Sequence, residues 1–111
     1  MELTTVKIGA VSVLDAAGRI DSVTAKSLEE KLLSLVREAP PALILDFTKV
    51  DYISSAGLRV LLVVAKKVQQ AKGKMVLFGL GPNVREVFSV SGFDKIFVIQ
   101  SDAAAAVAAV R

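Results

Sequence analysis

The sequence has 111 residues and a formal net charge of +3, and 53% of it is hydrophobic with only 5% aromatic; this describes one domain with an aliphatic core and excludes disorder. It contains no cysteine and no histidine, which rules out disulfide frameworks and thiolate metal sites and removes the commonest metal ligand and general base. Lysines and arginines are scattered rather than blocked, so the charge demands no nucleic-acid partner.

The start, MELTTVKIG, has neither the basic region nor the apolar core of a secretory signal, and no apolar run approaches the roughly 18 residues that a membrane span needs. No membrane partner is expected, and a cytoplasmic location fits best. Val6 and Ile8, then Val11, Val13 and Asp15, alternate around Gly9-Ala10, the pattern of a short hairpin with that face buried, and Gly18 should end it. From Val23 the period becomes helical, with Ala25, Leu28, Leu32, Leu35 and Val36 on one face; Pro40-Pro41 should close the helix. ALILDF (Ala42–Phe47) reads as a buried strand, followed by a loop from Thr48 to Ser55 and a helix from about Ala56. Its apolar face should hold Leu58, Leu61, Ala65 and Val68, with Val63 lying in the polar stripe beside Arg59 and Lys67.

After the break AKGK, MVLF (Met75–Phe78) is a second buried strand. GLGPN is a turn whose proline suits a helix start, Val84–Val90 a short helix, SGFD a turn and Ile96–Ile99 a strand. Ser101 could cap a final alanine-rich helix over Ala103–Val110. The elements predict one α/β domain with a mixed sheet of four or five strands against about four helices.

The chemistry concentrates in DYISSAGLR (Asp51–Arg59), a loop leaving a strand and feeding a helix N-terminus, where unpaired N–H groups favour an anion. Ser54 and Ser55 sit where a phosphate could be held by the Ala56, Gly57 and Leu58 amides. Serine is also a favoured N-cap, so one of the pair can close the helix while the other stays free. A nucleophilic hydrolase lacks its histidine base and the G-x-S-x-G elbow, and GLGPN is no nucleotide-binding fingerprint. No enzyme, cofactor or metal site is expected.

Three stretches then carry a resemblance. GRIDSVTA (Gly18–Ala25), DYISSAGLR and GPNVREVFSVSGFDKIF are similar to segments of the STAS domain family, and specifically of the bacterial anti-sigma factor antagonists. The resemblance implies a STAS-like α/β domain that binds an anti-sigma factor with a histidine-kinase-like ATPase fold. That partner phosphorylates the antagonist on serine, a serine phosphatase reverses the modification, and ATP and Mg²⁺ belong to the partner. It places the acceptor at Ser55, with Ser54 as the alternative, and the partner surface at Asp21, Ser54, Ser55, Ala56 and Gly57, to which the helical projection adds Arg59 and Val63 as a patch beside the serine loop. Two positions depart from the family pattern: Ser54 stands where many members have aspartate, and Ala56 where they have a second hydroxyl. These departures keep open an alternative, a docking subunit of a lipid-transport ATPase or another signalling assembly without a phosphorylation cycle. A third class, a nucleic-acid binder, would rest on Lys66, Lys67, Lys72 and Lys74 alone.

Overall fold

In the computed structural model, which describes residues 1–37 and 41–110, the chain opens on an antiparallel hairpin of β1 (Glu2–Ile8) and β2 (Val11–Ile20). Gly9 supplies the positive φ, 62°, that the two-residue turn requires. The buried face is not the one expected. In the part of β2 nearest the turn the buried side chains are Ser12, Leu14 and Ala16, while Val11, Val13 and Asp15 are half-buried and Val6 and Ile8 are 53% and 54% exposed. Nor does Gly18 end the strand. It adopts φ 104° and pairs with Val50 between two register shifts, so its freedom bends the strand instead of stopping it.

Helix α1 (Ala25–Val36) buries Ala25, Leu28, Leu32 and Leu35, the face its periodicity indicates. Arg37 is its C-cap, and Pro40, half of the pair expected to close it, lies outside the described residues. Strand β3 (Ala42–Ile53) runs on through the segment expected to be a loop. The cause is its pairing with β2, in which β3 twice carries one residue more than its partner. Buried Phe47, Val50 and Ile53 are therefore three apart, with exposed pairs between them, a spacing that alternation of two cannot detect.

Helix α2 (Ser55–Gln70), strand β4 (Lys74–Phe78) and helix α3 (Pro82–Ser91) follow. Pro82 opens α3, and Gly92 closes it at φ 80°. The strand expected over Ile96–Ile99 shrinks to β5 (Val98–Gln100), because Phe93–Lys95 winds into a 3-10 turn. That turn packs Phe93 and Phe97 onto Phe88, with centroids 6.4 and 5.9 Å from Phe88. Helix α4 (Ala103–Val110) is capped not by Ser101 but by Asp102, whose Oδ1 accepts from the Ala105 N–H at 2.8 Å.

The five strands lie in chain order, β1-β2-β3-β4-β5, and only β1 and β2 are antiparallel. Successive parallel strands added at the same edge require crossovers on the same side, since the hand of such connections is nearly invariant. Accordingly α1, α2 and α3 share one core with Leu14, Leu45, Phe47 and Leu77. The other face is covered by α4, through Ala106 and Val110 against Ile44, Val76 and Phe78. Eight residues of helix cover the centre of that face and leave the β1 end open, which accounts for the exposed Val6 and Ile8. No helix among the described residues is long and apolar enough to cross a membrane.

Candidate functional site at the strand ends

The carboxyl ends of β2 and β3 stop side by side, Ile20 opposite Ile53, and the Ser54 N–H donates to the Ile20 carbonyl at 2.8 Å. This bond ties Ser54 of DYISSAGLR to Ile20, the last β2 residue and part of GRIDSVTA. Ser54 is extended, at φ −91° and ψ 172°, and its Oγ accepts from the Gly57 N–H at 3.2 Å, so it is the N-cap of α2. Ser55 is the first helical residue and is exposed. Among the described residues no group hydrogen-bonds its side chain. The helix thus starts one residue earlier than expected, and the two serines divide into one that caps and one that faces solvent.

Of the amides expected to cradle a phosphate, two are committed elsewhere: Gly57 N–H to the Ser54 hydroxyl, and Leu58 N–H to the Ser54 carbonyl at 3.0 Å. The Ser55 and Ala56 amides are left without an intrahelical partner. Arg59, also exposed, follows Ser55 by one helical turn, so guanidinium and hydroxyl lie on one face. Gly57 points inward. A Cβ there would stand 2.6 Å from Ile20 Cγ2 and 2.8 Å from Ile53 Cγ1, so only glycine lets α2 come this close to the strand ends. Ala56 and Val63 are half-buried.

Asp21 sits in the adjacent turn. Its Oδ1 accepts from the Val23 N–H at 3.0 Å and the Thr24 N–H at 3.1 Å. The Thr24 hydroxyl in turn accepts from the Asp21 N–H at 2.9 Å and donates to the Arg19 carbonyl at 2.9 Å. The Thr24 amide, with help from the Val23 amide, the Thr24 hydroxyl and Arg19, outweighs desolvation and holds the Asp21 carboxyl below its ordinary pKa. Asp21 therefore locks the turn before α1 as a carboxylate, and this turn carries Val23 on its outside, 83% exposed.

Sequence reasoning overlooked part of this rim. Arg19 pairs with Tyr52 across β2 and β3, and its guanidinium lies 4.2 Å from the ring centroid. Tyr52 is 39% exposed. An arginine stacked on a partly exposed tyrosine brings together two of the residue types that most often anchor interfaces. The available signal was their position, each within two residues of a recognised motif residue.

The chain matches the STAS domain model over residues 2–106. It is 43% identical over its whole length to BtrV of Bordetella bronchiseptica, named as a candidate anti-sigma factor antagonist, covering 96% of that protein. It is 33% identical to the anti-sigma-F factor antagonist RsfB of Mycobacterium tuberculosis, over 98% of this chain and 88% of RsfB. The crystal structure of an anti-sigma factor antagonist from Mycobacterium paratuberculosis superposes with a TM-score of 0.90 at 32% identity, covering 99% of this chain and 93% of that one. A five-stranded mixed sheet with this helix placement, a match along nearly the whole chain and relatives above 30% identity lead to one conclusion: the chain belongs to the STAS domain family.

Proposed function

We propose that this chain is an anti-sigma factor antagonist whose binding is switched by phosphorylation of Ser55. The observation that carries this reading is the division of labour between the serines: Ser54 caps α2 through Gly57, leaving Ser55 exposed at the helix start. Relatives named as antagonists support the partner class. The partner is an anti-sigma factor with a histidine-kinase-like ATPase fold, and a serine phosphatase resets the switch. The chain itself acts as a cytoplasmic binding protein rather than an enzyme, in keeping with its lack of histidine. Serine and aspartate cap helices about equally well, so Ser54 in place of the usual aspartate preserves the capping function.

A phosphoserine carries about −1.5 to −2 charges at neutral pH. At the N-terminus of α2 that charge suits the helix dipole and lies one turn from Arg59, so the fold tolerates it. The partner does not, because a dianion inside a fitted interface is desolvated without compensation. With the cognate kinase and ATP, the wild type and Ser54→Ala should each gain one phosphate and Ser55→Ala none; phosphate on Ser54 would remove Ser55 from the role. In titration calorimetry Ser55→Asp should bind the anti-sigma factor at least a hundredfold more weakly, about 2.8 kcal/mol, with an unchanged melting temperature.

A further inference from the structure

At the opposite end of α2 lies a groove of about 620 Å³ that the serine switch does not use. Leu62, Ala65 and Lys66 of α2 form one wall; Ile96 and Val98, before and within β5, form another, and Lys74 of β4 also lines it. We propose that this groove docks an acidic amphipathic helix of a second protein, aliphatic residues inward and carboxylates against Lys66. The charge argument is local: no carboxylate lines the groove among the described residues, and of the charged residues close to it in sequence Lys67, Lys72 and Lys95 outnumber Asp94. The walls are aliphatic and open, with Ile96 56% and Val98 48% exposed. A small molecule bound between them would stay half in water, unlike a ligand in a closed pocket, whereas a helix laid along the groove covers both residues.

The alternatives fit less well. Single-stranded nucleic acid is held by exposed aromatic platforms, and Phe97, the only aromatic among the described residues that line the groove, is buried. A strand added at the sheet edge would find only three residues in β5. Lys66 lies about 16 Å along the helix from Ser55, so the groove can be filled while the serine end is engaged. The inference is independent of the Ser55 reading.

Random 16-residue peptides should be selected against the full chain, with counter-selection against the Lys66→Glu/Ile96→Asp double variant, whose changes fall at exposed positions. The expected winners carry Leu, Ile or Val at helical spacing flanked by Asp or Glu. In NMR titrations they should shift the amides of Leu62, Ala65, Lys66, Ile96 and Val98 but not those of Ser54 to Arg59, and Lys66→Glu should weaken them tenfold or more. The proposal is overturned by winners without acidic bias, by affinity indifferent to both substitutions, or by no enrichment. It is equally overturned if a 20-nucleotide single-stranded DNA or decanoate binds the same residues more tightly than any peptide. Circular dichroism of the variants separates loss of binding from loss of fold.

Discussion

At the scale of single residues, two adjacent serines with the same side chain have opposite duties because one sits before the helix and the other inside it. Removing the Ser54 hydroxyl unpairs the Gly57 N–H, so Ser54→Ala should lose about 0.5–2 kcal/mol of stability in urea unfolding, while Ser55→Ala stays within about 0.5 kcal/mol of wild type. Equal losses would contradict the assignment of the cap. Asp21 offers a titration. Its carboxyl is held below the ordinary value by the Thr24 and Val23 amides, so its stabilising contribution is complete above the unfolded pKa of about 4 and fades as pH falls through the lower folded pKa. A ¹³C carboxyl titration should place the Asp21 midpoint below that of the same residue in urea-unfolded chain; a higher midpoint would refute the turn-locking role. The motif itself was legible from residue types and order. Which serine caps was not, since that depends on a helix boundary shifted by one residue.

At the scale of elements, the approach of α2 to the β2 and β3 ends depends on Gly57. In an ordinary helix, glycine to alanine is stabilising by roughly 0.5–1 kcal/mol. Here Gly57→Ala should destabilise by about 1–3 kcal/mol, because the new methyl meets Ile20 and Ile53 below contact distance. A melting temperature at or above wild type would show that the helix can shift freely. Helices α1 and α2 were legible because their buried stripes repeat at helical spacing, although Val60 and Val64 extend the buried face of α2 beyond the expected residues and Ala65 is only half-buried. The far half of β3 was not legible, because two extra residues in its pairing erased the alternation that marks a strand. The hairpin was recognised but its core face was reversed. Alternation shows that two faces differ, not which one the later helices α1 and α2 will cover.

At the scale of the whole molecule, the sheet has no point at which strand order reverses. Open α/β sheets commonly bind small ligands in the crevice that such a reversal creates. Here the parallel strand ends form a continuous rim, a shape suited to meeting another protein. The central strands should be the most protected part of this molecule: in native-state hydrogen exchange, amides of Leu43–Phe47 in β3 and Met75–Phe78 in β4, nearly all buried, should exchange slowest. Protection concentrated in α4 would contradict the architecture. Fold class was legible from the order of apolar runs, whereas the lone helix on the second face was not, since an alanine-rich stretch declares helix without declaring a side.

Strand order that equals chain order also sets a schedule for synthesis. As the polypeptide leaves the ribosome, each strand after the first finds its inner neighbour already made, so the sheet can grow outward from the hairpin without holding a gap for a later strand. The covering of the second face has no such advance. Ile44, Val76 and Phe78 are shielded by α4, whose eight residues emerge only after all five strands. A nascent chain stalled before Ala103 would present that aliphatic face bare, and its exposed surface would be prone to association until the helix arrives.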